Sequence, residues 1–489
     1  MEKRIRSLTE TKAIVSPNSF VSNYKNKIID SFIFFGCWND IDCSSKNHKL
    51  KPIYRDIILN NINKERESLV IVGGDNWYSQ TYKKDNYKYK YYPLSVLISG
   101  YKQLLKKEEK MYEIILGNHD EANDDILDKM NLKKDCMLKT QEYFIKKIAK
   151  KESIYKLPSL EDLKRKKINN ELNIIGNVNL LTCIEKPILK ELKNDVYVLY
   201  INTNLFDNYT YQTNKNKDKN SKEITTKKLI SYVEYIIKIL KIYNPKLLFV
   251  VGHNPLIAYK KKKYHKLSDI YDDKINSYII EKMVLELNKY KTIYLCADVH
   301  NFNIALLNNN IGTVISGTGG ATSLDLETNE GKVDTGKFKS PNKELFDIKD
   351  HYIYNSYGYT KIKYDKQYNV YVTYKQLFNV NKDNKYQNKI IHKTIKKYNF
   401  VFKNTNLGWE LIKKRNKVST EKIKLNIPKL LKEKEEICKI VVNKSENNIN
   451  NLIKLNQLII SKSIKYNYIN KKNTPLLCYY NKKKLKDKT

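Results

Sequence analysis

The sequence predicts an α/β layered protein with a basic helical extension at its C-terminus. Three observations carry that prediction. Seven short apolar runs, mostly β-branched or aromatic, end in glycine or polar residues. Amphipathic stretches of helix length separate several of them, and strands alternating with helices mark the α/β class. The last hundred or so residues leave this pattern and turn strongly basic.

The strand-like runs are 31–36, 68–74, 111–117, 195–201, 246–252, 292–297 and 311–317. Each is of strand length and bounded by turn-forming residues. Helices are expected at 93–110, 223–243 and 274–289. In the second, Leu229, Val233, Ile236, Ile237 and Leu240 recur at three- and four-residue spacing, which makes one apolar face. Residues 80–92, rich in Tyr and Lys, and the polar stretch 124–170 read as insertions. Residues 361–377 alternate as strands do. Further helices are expected near 427–442 and 447–464. The chain therefore divides into an N-terminal segment (1–29), a main domain (30–379) and a Lys-rich helical extension (380–489). No internal repeat stands out.

Composition bounds the function. The chain has 489 residues, 91 Lys+Arg against 53 Asp+Glu, a net charge of +38 and 41% hydrophobic residues. That much apolar content can bury a core, which excludes a disordered polyelectrolyte. Residues 381–489 hold 28 basic and 8 acidic residues, so more than half of the excess charge lies in under a quarter of the chain. The tail reads as a solvated face, with nucleic acid or an anionic membrane as the sharper alternative. Nearly all the basic residues are lysines. Lys, Asn, Ile and Tyr share A/T-rich codons, as in a large DNA virus or a protist. No run approaches the ~18 apolar residues of a membrane span. Seven scattered cysteines and no apolar leader argue for a reducing, cytoplasmic location.

Five strand ends carry polar blocks: Gly36-Cys37-Trp38-Asn39, Gly74-Asp75-Asn76-Trp77-Tyr78, Gly117-Asn118-His119-Asp120, Gly252-His253-Asn254-Pro255 and Ala297-Asp298-Val299-His300-Asn301. Ligands of open α/β sheets bind beyond the carboxyl ends of strands. Three of the seven histidines fall in these blocks. Such a convergence suits a two-metal site, which needs a bridging carboxylate and nitrogen and oxygen donors from several loops. Asp75 is the candidate bridge.

The ordered set GDNWY, GNHD, GHNP and ADVHN resembles the calcineurin-like metallophosphoesterase superfamily, and within it the purple (tartrate-resistant) acid phosphatase branch. Ser316-Gly317-Thr318-Gly319-Gly320 resembles that branch's glycine-rich strand end. The likeness spans about residues 30–377. It implies a sandwich-like core of β-sheets flanked by helices. It also implies a phosphoric ester hydrolase, a phosphomonoesterase by preference, with two metal ions (iron, zinc or manganese). The first ion would take Cys37, Asp75, Tyr78 and His300. The second would take Asp75, Asn118, His253 and Asp298. A metal-bound hydroxide would be the nucleophile, and His119 would contact the substrate as an acid.

The chain departs from the family at Cys37 and Asp298, where the family has Asp and His, and at Asn202, where it has Asp. Each inferred ligand position still carries a side chain able to coordinate, and a thiolate shifts preference toward softer ions such as zinc. Blander readings stand beside these. Cys37 reads also as a small core residue and Asp298 as a turn cap. Trp38 and Trp77 read as packing residues. His48, His265, His351 and His392 read as surface or packing residues. Two further functions stay open: a scaffold that kept the fold and lost turnover, and a phosphodiesterase or nuclease whose basic tail holds nucleic acid.

Overall fold

A computed structural model describes residues 21–24, 28–41, 54–78, 80–84, 87–91, 94–120, 133–152, 170–206, 219–260, 263–266, 274–321, 330–335, 347–378, 390–414, 418–442 and 480–481. Two large sheets form face to face. In the first, Val196–Tyr200, Leu247–Val251, Thr292–Cys296 and Ile311–Ser316 run parallel. In the second, Ser31–Phe35, Leu69–Val72, Met111–Ile115 and Val178–Leu181 run parallel, and Tyr357–Tyr364 pairs antiparallel with Ser31–Phe35. All seven expected runs are strands.

Alternation within each strand sets the layers, because successive side chains face opposite sides of a sheet. Phe32, Phe34, Leu69 and Ile71 pack against Val198, Phe249 and Leu295 of the other sheet. Phe32 meets Phe249 edge to face at 5.1 Å, a contact of about 0.5–1.5 kcal/mol beyond its buried area. Ile33, Phe35, Val70 and Val72 point the other way, against helices Tyr54–Ile62, Leu94–Leu104 and Lys133–Ala149. Leu199, Leu248, Val250 and Tyr294 point outward from the first sheet, against helices Lys219–Tyr243 and Lys274–Leu287. The result is helix, sheet, sheet, helix: the layered α/β sandwich. Among the described residues no helix is long and apolar enough to cross a membrane.

One charged pair ties the sheets together inside this core. Lys190, on Ile188–Lys193 of the first sheet, reaches Glu113 of the second at 2.9 Å, and its ammonium also meets Glu171 at 2.7 Å. Both Lys190 and Glu113 are buried.

Within 380–489 the expected helical character is corrected over 390–414 and 418–426. Ile390–Thr405, Gly408–Lys413 and Val418–Asn426 are strands that extend the second sheet beyond Val370–Phe378. Their buried residues Tyr398, Phe400 and Phe402 recur at a spacing of two, and with Trp409 and Leu411 they enter the core between the sheets. Lys393, Lys396, Lys397 and Lys403 on the same strand hide that alternation from a charge count. Ile427–Val442 is a helix, as expected. The expected helix at 447–464 lies outside the described residues. Of the two expected insertions, 80–92 contains the hairpin Gln80–Lys84 and Tyr87–Tyr91. The stretch 124–170 contains helix Lys133–Ala149, whose Leu138, Phe144 and Ile145 belong to the helical layer's core.

Candidate metal centre

The five polar blocks follow parallel strands of both sheets, so the fold brings them to one end of the sandwich. The loops approach so closely that two positions need glycine. Gly74 has φ +91°, and a Cβ there would lie 2.7 Å from both the Gly117 nitrogen and His253 Nδ1. A Cβ on Gly117 would lie 2.2 Å from Asp75 Oδ1. Three candidate ligands also have left-handed backbones: Cys37 (φ +49°), Asp75 (φ +56°) and Asp298 (φ +24°). Such conformations cost about 1–3 kcal/mol each and persist only where the surroundings over-determine them. Backbone bonds do so here: the Cys37 N–H donates to Gly74 O at 3.0 Å, and the Ala297 N–H to His253 O at 3.0 Å.

Asp75 stands at the middle, and its two oxygens face different donors. Oδ2 accepts from the Tyr78 hydroxyl at 2.8 Å and the Cys37 thiol at 3.6 Å. Tyr78 Oη lies 3.3 Å from His300 Nε2. Cys37, Asp75 and His300 each offer a ligand atom within 4.8 Å of the others. Oδ1 faces His253 Nε2 at 3.2 Å and accepts the His119 backbone N–H at 3.1 Å. His253 Nε2 also lies 3.1 Å from Asn118 Oδ1 and 3.8 Å from Asp298 Oδ1. The sequence-predicted residues therefore gather in two half-sites that share one carboxylate. Cys37, Asp75, Tyr78 and His253 are buried, while Asn118, His119, Asp298 and His300 are half-buried and form the mouth.

The electrostatics follow from burial. Burial pushes the Cys37 thiol well up, and the charges of Asp75 and Asp298 push it further. Burial likewise raises the Tyr78 phenol, with Asp75 adding to it. Burial opposes ionisation of Asp75 too, but the imidazoles of His253, His119 and His300 hold its carboxyl well below the usual range. Burial opposes the charge on His253, yet Asp75, Asp298 and the Gly73 carbonyl raise it to about 9. His253 Nδ1 faces the Gly73 carbonyl at 2.8 Å and must donate to it, since a carbonyl only accepts. That orientation turns Nε2 toward Asp75.

The donor set fits metal ions. Thiol, phenol, carboxylate and imidazole meet in one half, and imidazole, amide oxygen and carboxylates in the other. A buried carboxylate beside a second acid, a thiol and a phenol calls for positive charge. A cation bound there would meet that need, with ligating groups deprotonated.

Other residues, outside the expected ligand set, support these loops. Asp120 accepts from the Gly117 N–H at 2.8 Å, the Asn76 N–H at 3.0 Å and Gln141 Nε2 at 3.0 Å, which locks two ligand loops together. Burial, then the charge of Asp75, raises its carboxyl to about 7. Thr203 Oγ1 accepts the backbone N–H groups of His253 and Asn254 at 3.0 and 2.9 Å. Asn202 donates to Thr182 O at 3.0 Å, and Asn204 to Gly117 O at 3.0 Å. Asp120 is the fourth letter of GNHD, and Thr203 directly follows Asn202, the strand-end position where the resembled family has Asp. Trp38 and Trp77 are fully buried, and Trp38 Nε1 donates to Asn76 Oδ1 at 3.0 Å, so both pack. Cys37, Cys183 and Cys296 are free thiols. His392 is exposed and His351 buried; His48 and the side chain of His265 lie outside the described residues.

No protein-family model matches the chain, and no curated protein matches it in sequence. Among solved structures it is similar to one titled "Structure of PhoD", at 11% identity over 86% of this chain and 79% of that chain, with a TM-score of 0.43. A likeness at that level carries no argument about the chemistry.

Proposed function

We propose that the chain is a metal-dependent phosphoesterase that hydrolyses phosphate esters at a dinuclear centre. The observation that supports this most directly is Asp75, whose two oxygens face two separate donor sets. Cys37, Asp75, Tyr78 and His300 would hold one ion, and Asp75, Asn118, His253 and Asp298 the other. Iron, zinc and manganese are the candidates, with the Cys37 thiolate favouring zinc in the first half. Two such ions supply Lewis acidity toward phosphoryl oxygens and lower the pKa of water toward neutrality.

The chain's own groups orient and protonate. His119 is half-buried at the mouth, its ring against Tyr78 at 4.5 Å and its backbone N–H on Asp75. It is the group placed to give a proton to a leaving alkoxide or phenoxide. Asn118 Oδ1, held 3.1 Å from His253 Nε2, offers an oxygen toward the second half-site. The motif resemblance favours phosphomonoesters. The net charge of +38 suits an anionic partner, nucleic acid or membrane surface, whose binding would weaken steeply with salt.

The scaffold reading draws on the Cys37 thiol, which burial holds protonated until a cation displaces its proton. One experiment separates the two. Purified protein, stripped and then reloaded with iron, zinc or manganese, should hydrolyse a generic aryl phosphate, and Asp75→Asn should abolish that turnover. A well-folded wild type that stays silent with every metal supports the scaffold.

A further inference from the structure

We propose that Asn301, Asn303 and His351 form a positioning relay that fixes the loop carrying Asp298 and His300. This inference rests on the metal-centre reading above. All three side chains are at most 1% exposed. Asn303 lies on strand Phe302–Leu307 and His351 on its antiparallel partner Ile348–Tyr354, on the face opposite the inter-sheet core. The short hairpin of Ile257–Lys260 and Lys263–Lys266 covers them. That hairpin leaves directly from the His253-Asn254-Pro255 block, so the relay lies between two ligand-bearing loops.

The hydrogen bonds run in one consistent direction. The Tyr264 hydroxyl donates to His351 Nδ1 at 3.2 Å. His351 Nε2 then donates to Asn303 Oδ1 at 2.8 Å. The Asn303 amide donates to Asn301 Oδ1. Asn301 Nδ2 donates to the Tyr259 carbonyl at 3.5 Å, and the Tyr259 N–H returns to Asn303 Oδ1 at 3.3 Å. The ring closes on itself. An amide oxygen only accepts, so His351 must carry its proton on Nε2. Burial draws the His351 pKa down to about 3, so the imidazole stays neutral and keeps that tautomer.

The loop it holds is strained and needs holding. Asp298 has φ +24°. Val299 O presses so close to Gly317 that a Cβ there would lie 2.1 Å away. Asn301 directly follows His300, so fixing its side chain fixes where the loop's two donors leave the backbone. Groups that orient metal ligands from behind commonly govern affinity by about 10–100-fold.

The test measures dissociation constants of zinc and manganese, by competition with a chromophoric chelator, on the full chain. Asn303→Ala and His351→Phe should weaken metal binding about 10–100-fold. His351→Gln, which can still donate to Asn303 Oδ1, should restore most of the loss. Ile304→Val, a buried change beside Asn303 in sequence but facing the core between the sheets, should lower the melting temperature and leave metal affinity unchanged. If Asn303→Ala does not fold, Tyr264→Phe decides, because it removes one hydroxyl from a half-buried ring; it should weaken binding in the same direction. Relay variants that melt earlier but bind metal as the wild type does would overturn the proposal alone. A wild type that binds neither ion would overturn it together with the metal-centre reading.

Discussion

Asp75 divides its two oxygens between a thiol–phenol side and an imidazole side, and the properties of the neighbouring residues follow from that. Cys37 makes the first half soft. Cobalt(II)-loaded protein should therefore show thiolate-to-cobalt charge-transfer absorption in the near ultraviolet, and Cys37→Ser should lose it while still binding cobalt more weakly. The same band should grow with pH, since the thiol must give up a proton that burial holds tightly. Without metal the pH dependence runs the other way. The Asp75 contribution is present above its unfolded pKa of about 4 and is lost as pH falls further. Asp120, raised to about 7, loses its contribution as pH rises from about 4 through 7. His253, raised to about 9, contributes fully below about 6.5 and loses that contribution as pH rises through 9. Metal-free protein should thus melt highest in mild acid and progressively lower toward pH 9, and metal should flatten or reverse that slope. At this scale the sequence was most legible where residue type and motif agreed: Asp75, Asn118, His119 and His253 stand in motif blocks, and the fold brings those blocks together. His351, outside the motif blocks, carries no sign of the relay in its sequence neighbours. Its partners Asn301 and Asn303 are adjacent only after the strands pair, and no spacing in the chain reports that.

Strand Ile390–Thr405 shows why the basic C-terminal region misleads. Lys393, Lys396, Lys397 and Lys403 flank the buried Tyr398, Phe400 and Phe402, so composition reads solvated helix while the spacing of two reads strand. Phe402 packs so tightly on the first sheet that a Cβ at Gly312 would lie 2.6 Å from its ring. Removing residues 380–489 should therefore expose the core between the sheets and abolish folding, as near- and far-ultraviolet circular dichroism would show. Phe400→Ala alone should cost about 3–5 kcal/mol in denaturant unfolding. A chain truncated at 379 that melts cooperatively near the wild-type temperature would show these strands to be dispensable. The helices followed their periodic faces closely: 223–243 and 274–289 became Lys219–Tyr243 and Lys274–Leu287. The helix expected at 93–110 ends at Leu104, because the charged run after it offers no apolar face to bury.

Across the whole molecule, two sheets meet over an apolar core, and the ends of their parallel strands present one cluster of candidate ligands. The Lys190–Glu113 pair spans that core. Lys190 also keeps Glu171, so the change that strands a buried charge is Lys190→Met, which leaves Glu113 without its cation and should cost about 3–5 kcal/mol, whereas adding Glu113→Leu should recover much of it. Equal losses in the single and double variants would show no coupling between the sheets at this point. The layered class was legible because strand and helix periods alternate from residue 31 to beyond 310. The meeting of five loops at one point was legible only through the motifs, since nothing in local periodicity says which strand ends are neighbours. A two-ion centre bridged by Asp75 is read out by metal content per folded chain after stripping, reloading and removing excess ion, for the wild type and for Asp75→Asn. The wild type should hold two ions per chain and the variant at most one. A well-folded wild type that retains one ion or none would contradict the two-ion centre.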